Sequence, residues 1–179
     1  MKKILLLTTI LLTTIFCCMC LAVNAGETFR YTDYGGCTLV TKHSTYWLGG
    51  ESTSYGLLKN GVEVLPPDCD VWYDAELRIL TFRRCVEVIS SKYQLLLYSA
   101  DSGKCLYSGY YYAENNGHHM PYVTFENSGK YRNAIVHYYN LRYGDRQGNA
   151  RKTIGSFFRK DGKLYQVMEK QVKYEAPVE

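Results

Sequence analysis

The sequence predicts an all-β domain built as an antiparallel meander of hairpins, and three observations carry that prediction. Turn signals centred on Gly, Asn and Asp recur between short apolar or alternating runs. β-Branched and aromatic residues dominate the runs, and all 18 tyrosines lie after residue 25. Sustained helical spacing is missing, except that residues 131–143 fit both periods. The meander should hold roughly ten strands and form an open twisted sheet, a partial barrel or a sandwich.

The chain opens on a leader. Lys2 and Lys3 precede an uncharged apolar stretch, residues 4–21, and Val23-Asn24-Ala25 offers small residues to a peptidase. This predicts a secretory signal over residues 1–25, with Gly26 as the mature start. An uncleaved anchor needs about 20 apolar residues, which residues 4–23 just supply. Lipidation at Cys17, Cys18 or Cys20 lacks the usual Leu-small-small-Cys box. The expected location is secreted, periplasmic or at the cell surface. Membrane contact is expected only through the leader, if it is retained or lipidated. The Met-Lys-Lys opening fits a bacterial leader.

Residues 26–174 are expected to form one β-rich domain, and residues 175–179 a flexible tail. The first strand candidate is 37–42, and 44–54 reads as a loop or irregular strand. Residues 55–59 and 62–65 flank Asn60-Gly61, the strongest short hairpin signal, because both residues tolerate positive φ. Pro66-Pro67 should end the second arm, since proline cannot donate to a ladder. Residues 77–82 and 85–89 are two strands about Arg83-Arg84, or one long bent strand. Further hairpins are expected about Asp101-Ser102-Gly103, Asn127-Ser128-Gly129 and Asp161-Gly162.

The whole chain carries 21 basic and 17 acidic residues, net +4. Removing Lys2 and Lys3 leaves 19 against 17, or +2. That balance excludes a nucleic-acid binder, which needs a dense basic stripe. Arg146, Arg151, Lys152, Arg159, Lys160 and Lys163 read as a solvated surface. Cys37, Cys69, Cys85 and Cys105 form an even set, which in an exported chain predicts two disulfides. Short sequence separation favours Cys37–Cys69 and Cys85–Cys105. No Cys-x-x-Cys pair points to zinc or thiol redox chemistry.

Residues 54–61 echo residues 92–104: each starts on Ser or Lys before a Tyr, runs through leucines and turns at glycine. Repetition or shared hairpin chemistry accounts for this equally. Within residues 55–70, Tyr55-Gly56, the Asn60-Gly61 turn, the Val62-to-Leu65 arm, Pro66-Pro67 and the following Asp68 and Asp70 resemble a WG repeat. This is a short β module found in arrays in many bacterial proteins. Tyr55 replaces the usual Trp, and Cys69 stands where an aromatic is typical. The resemblance implies a β-hairpin array used for interaction, and it brings no catalytic residues.

Candidate chemistry is sparse. Adjacent His118 and His119 on an extended chain point to opposite faces, so with Glu114 they make a polar loop rather than a metal site. His43 and His137 are isolated, and no nucleophile elbow, phosphate loop or His-Glu-x-x-His appears. Asp68, Asp70 and Asp74 cap turns rather than hold calcium, because no ordered calcium loop follows. No cofactor, metal or catalytic residue is expected. The contact surface is expected at Trp47, Trp72, Tyr110, Tyr111 and Tyr112, with His118 as a further contact. Core packing competes for both tryptophans. The leading reading is an exported non-catalytic module binding a protein or carbohydrate partner. A tyrosine-rich sugar-binding module should show a row of exposed rings, and a small secreted hydrolase a cleft with converging carboxylates or a histidine near a hydroxyl.

Overall fold

The computed structural model describes residues 26–112, 122–131, 134–143, 150–167 and 175–177. Among them every regular element is a strand. A first sheet of seven antiparallel strands follows chain order: β1 (Gly26–Asp33), β2 (Thr38–Thr45), β3 (Glu51–Lys59), β4 (Val62–Asp74), β5 (Ile79–Glu87), β6 (Lys92–Ser99) and β7 (Cys105–Tyr112). The second sheet contains β8 (Tyr122–Tyr131), β9 (Ala134–Tyr143), β10 (Ala150–Lys160), β11 (Lys163–Val167) and β12 (Glu175–Pro177), with β8 and β12 at its edges. The all-β meander is therefore correct. β1 and β7 are opposite edges of the first sheet, which is open.

Turn chemistry sets several of these junctions. Asn60 (φ 52°) and Gly61 (φ 76°) form the expected two-residue turn between β3 and β4. Asp161 (φ 51°) and Gly162 (φ 75°) do the same between β10 and β11. Arg83-Arg84 makes no turn, and β5 is one strand through both. The segment 131–143, open to a helical reading, is strand from Ala134. Asn127-Ser128-Gly129 is a different case. It lies inside β8 where the register against β9 slips between Asn127 and Lys130, and the two strands meet at Tyr131 and Ala134. The tripeptide is a bulge instead of a turn. Glu175–Pro177 also departs from the expected tail, because it pairs with β11.

Pro66-Pro67 does not end β4. The residues before the prolines pair with β3, as in Leu57↔Leu65, and those after Asp68 pair with β5, as in Cys69↔Arg84. The prolines sit where the strand changes its main partner, so their missing N–H groups fall beside register shifts in β3. Gly56 occupies that shift. A Cβ there would lie 2.7 Å from Leu65 O and 2.8 Å from Pro67 N, so only glycine admits this close approach.

The bend rolls the first sheet over its own apolar face. Leu39, Leu57, Leu65 and Cys69 from β2–β4 meet Leu80, Phe82, Leu96 and Tyr98 from β5 and β6 in one buried cluster. The opposite face of β5 and β6 presents Ile79, Leu95 and Leu97, which pack on Tyr139, Ile154, Phe157 and Leu164 of the second sheet. β5 and β6 are thus buried on both faces, which explains their continuous apolar runs. Of the echoed segments, 54–61 gives Leu57 to the first cluster alone, whereas 92–104 gives Leu96 and Tyr98 to that cluster and Leu95 and Leu97 to the other.

Rolling brings the β1–β2 loop against the β6–β7 turn. Gly36 N–H donates to Ala100 O at 3.2 Å. A Cβ on Gly36 would overlap the backbone of Asp101, so the two chains touch directly. Arg78 (φ 56°) accepts Ala100 N–H at its carbonyl (2.8 Å) and donates from Nη2 to Tyr34 O (2.9 Å). The Asp101 carboxylate accepts from Arg78 through one oxygen and from Arg159 of β10 through the other. Asp101 thereby joins its own turn to Arg78 and to the second sheet, and Arg78 carries the link on to the loop. Burial alone would push the Asp101 carboxyl up, but the two guanidiniums outweigh it and hold it below the ordinary carboxylate range.

The two expected disulfides are absent: all four cysteines are free thiols. Register explains why. Thr38 sits opposite Leu58 in β3, whereas Cys69 sits opposite Tyr55, so Cys37 and Cys69 differ by roughly four residues, about 13 Å, along the strands. Cys85 pairs with Tyr93 and Cys105 with Tyr98, near opposite ends of β6, about 17 Å apart along it. A bridge requires Cα atoms within about 7 Å. Sequence separation was the wrong guide, because hairpin register decides which side chains meet.

Two substitutions test this account. Asp101→Asn should lower stability by about 1.5–3 kcal/mol, since charged hydrogen bonds are lost from two guanidiniums. Because the folded carboxyl titrates below its unfolded value of about 3.9, its contribution is complete above that pH and lost below it. In denaturant melts wild type should therefore lose its advantage over Asp101→Asn as the pH is taken below about 4. Gly56→Ala should cost about 1–3 kcal/mol by forcing the β3 and β4 backbones apart. Equal melts for Gly56→Ala and wild type would contradict the tight crossing.

Candidate functional site

The strand period distributes the three consecutive tyrosines of β7 over two faces. Tyr111 turns inward, buried, and stacks on Tyr93 with ring centroids 5.6 Å apart. Tyr110 and Tyr112 turn the other way, each 60% exposed. Their rings are two residues apart on one strand, about 7 Å.

β6 supplies the rest of this face. Lys92 pairs with Tyr112 and Gln94 with Tyr110. The Lys92 ammonium lies 5.0 Å from the Tyr110 ring centre and 5.9 Å from that of Tyr112, so one cation holds both rings. Gln94 Nε2 donates to Ser108 Oγ at 3.3 Å. Arg84, opposite Gln94 on β5, is held by Asp68 Oδ2 at 2.9 Å. The neighbouring β5–β6 turn adds apolar surface, with Ile89 94% exposed. The result is a short row of open rings beside amide, hydroxyl, ammonium and guanidinium groups.

Trp72 joins a different cluster. It lies half-buried on the same side as Tyr111, with the Arg83 guanidinium 5.3 Å from its ring centre and 5.9 Å from that of Tyr93. Arg83 Nε also donates to Asp70 Oδ2 at 2.9 Å. The Arg83 guanidinium thus ties Asp70 to the two rings, and the stack braces the end of the inter-sheet core. Trp47 sits at the tip of the β2–β3 hairpin, 64% exposed and remote from both clusters. The structure thus brings Tyr110 and Tyr112 together, and assigns Trp72 and Tyr111 to a separate packed stack. His118, His119 and Glu114 lie outside the described residues. The partners Lys92, Gln94 and Arg84 were missed, although pairing 93–99 with 104–112 across Asp101-Ser102-Gly103 places Lys92 and Gln94 beside the tyrosines.

A buried histidine cluster is the remaining chemistry. His137 of β9 is 4% exposed. Its Nδ1–H donates to Asp74 Oδ2 at 2.6 Å, and Tyr139 Oη–H donates to the same oxygen at 2.9 Å. Burial raises the Tyr139 hydroxyl far above the ordinary phenol range. Asp74 Oδ1 accepts Glu76 N–H (3.1 Å) and Leu77 N–H (3.0 Å), the turn-capping role expected of it. His137 Nε2 lies 3.0 Å from Glu76 Oε2, off the line of a hydrogen bond. With a carboxylate at each ring nitrogen, His137 faces no hydroxyl or thiol among the described residues, and it ties the second sheet to the β4–β5 turn. Asp68 and Asp70 are engaged by Arg84 and Arg83. Among the described residues no cluster of His, Cys, Asp and Glu is arranged for a metal ion.

The thiols divide by exposure. Cys37 and Cys69 are buried among aliphatic side chains, and burial pushes their thiols up to about 11 and about 12. Cys37 Sγ–H points to Ala100 O at 3.6 Å, and Cys69 Sγ–H to Asp68 Oδ1 at 3.4 Å. Neither is a nucleophile at neutral pH. Comparison with protein-family models, curated proteins and solved structures gives no match for this chain.

Peptide-resolved alkylation checks the thiol assignment. Cys85 and Cys105 should be labelled in the native protein, and Cys37 and Cys69 only on unfolding. Early protection of Cys85 against reagent without reductant would contradict it.

Proposed function

We propose that the chain is an exported, non-catalytic binding module that takes a carbohydrate ligand on the face made by Tyr110, Tyr112, Lys92 and Gln94. The observation that carries this reading is the pair of exposed rings held about 7 Å apart by one strand. Sugar rings present C–H faces that stack on phenols, and their hydroxyls need donors and acceptors at the rim, which Gln94, Ser108 and Lys92 supply. The rings are pre-ordered by Lys92, so little side-chain freedom is lost on binding. Lys2 and Lys3, the uncharged apolar stretch 4–21 and the small residues at 23–25 support export.

A protein partner is the second reading. β7 is an edge strand among the described residues, and its outer backbone groups invite an added strand. The WG-repeat-like hairpin over residues 55–70 favours an interaction role of this kind, with Gly56 and the prolines making the tight crossing such a module needs.

Screening against an oligosaccharide panel, followed by titration, separates the two. Tyr110→Ala with Tyr112→Ala should weaken glycan binding by about 1–3 kcal/mol, roughly fivefold to 150-fold. The same double change should alter stability by less than about 0.5 kcal/mol per site, because both rings are largely in solvent. A panel without a ligand, or a ligand indifferent to both tyrosines, would remove the carbohydrate reading.

A further inference from the structure

The β2–β3 hairpin turn breaks the usual turn chemistry. Gly49 N–H donates to Tyr46 O at 2.9 Å and Tyr46 N–H to Gly50 O at 2.7 Å, with Gly49 at φ 85°. Trp47 and Leu48 are therefore the two central residues, where Asn, Asp, Pro or Gly ordinarily stand. They are 64% and 88% exposed. Tyr46 is half in solvent, its hydroxyl 3.1 Å from Ser52 Oγ and its ring against Gly50. The turn is well made, yet its two most apolar side chains stand largely in solvent. A departure from local rules with no internal gain points outward, to a contact beyond the domain.

Register says where that contact lies. Gly26, the first residue of β1, pairs with Thr45, the residue before Tyr46. The apolar stretch 4–23 thus leads into the domain at the end that carries the tip. Only Asn24 and Ala25 intervene, a reach of about 10 Å from Val23 to Gly26. The other apolar turn, at Val88 and Ile89, borders the tyrosine row and has no such neighbour.

We infer that Trp47 and Leu48, steadied by Tyr46, form a lipid-contacting tip that seats this end of the domain in the interface of a bilayer. The tip is convex and narrow, and it pairs an indole and a phenol with an aliphatic side chain, the composition that sits at headgroup level. The ammonium behind it is already engaged: Lys42 Nζ is 2.6 Å from Glu27 Oε1. Attraction to phosphate is therefore secondary, and zwitterionic lipid suffices. The inference is independent of the carbohydrate reading, because it uses another surface.

The test follows Trp47 itself. The chain as recovered from cells, with its leader retained or removed, is mixed with phosphatidylcholine vesicles with and without brominated acyl chains. Subtracting the spectrum of Trp47→Phe from wild type isolates the Trp47 emission, since Trp72 is common to both. The expected result is a blue shift of that emission on vesicles and its loss on brominated ones. Where the leader holds the chain on the vesicle, only this emission decides. Where the leader is gone, co-sedimentation with vesicles is also expected, and Leu48→Asp should abolish it without changing the melt. A Trp47 emission indifferent to vesicles, in either form, overturns the inference.

Discussion

The carboxylate of Asp101 is the constraint on which the rest of the structure hangs. Among the described residues the first sheet has two free edges, and no strand pairing closes it. Its curvature is held by the meeting of the β1–β2 loop with the β6–β7 turn, where Gly36 rests on the Asp101 backbone and Arg78 binds both sides. Arg159 extends the same junction to the second sheet. Apolar burial supplies most of the folding free energy, but it is non-directional and would be satisfied by several curvatures of a seven-stranded sheet. A carboxylate with one guanidinium on each oxygen is directional, and it selects one of them. The left-handed backbone of Arg78, strained for a non-glycine residue, is the local cost of aiming both its carbonyl and its side chain at that junction.

The hairpins whose geometry is dictated locally were legible in the sequence. Asn60-Gly61 and Asp161-Gly162 each place two residues at positive φ, and that demand is written in the residue types themselves. What failed had a common cause. Pro66-Pro67 forbids a hydrogen bond only on the side the N–H would face, and the strand survives because its pairing is handed from β3 to β5 there. Asn127-Ser128-Gly129 has turn composition, yet a bulge uses the same residues for the same backbone freedom. The cysteine pairing was argued from separation along the chain, when the relevant coordinate was position across the sheet.

The candidate site shows the same division. That three tyrosines in a row must offer one face to solvent followed from the strand period alone. Which of them would be exposed depended on which face of β6 and β7 the second sheet covers, and nothing local to residues 110–112 encodes that. Once Leu95 and Leu97 are committed to the second sheet, Tyr93 and Tyr111 must share their side, and Lys92, Gln94, Tyr110 and Tyr112 must take the other. The assignment is a parity consequence of the core, so shifting the β6–β7 register by one residue would bury the row and expose the stack.

Parity and curvature together also fix how the two exposed surfaces relate. The hairpin tip stands at the far end of β2 and β3, the tyrosine row at the far end of β6 and β7, and the Asp101 junction joins the near ends of both pairs. Each arm is eight or nine residues long, about 27–31 Å of extended chain. The tyrosine row is also joined to the tip hairpin across the sheet, since Tyr110, Gln94, Arg84, Cys69 and Tyr55 follow one another in register. A domain seated by its tip would carry its open rings on a different hairpin, with β4 and β5 between the two. The rigidity of that arrangement rests on one carboxylate, which sets the angle between the arms as it sets the roll of the sheet.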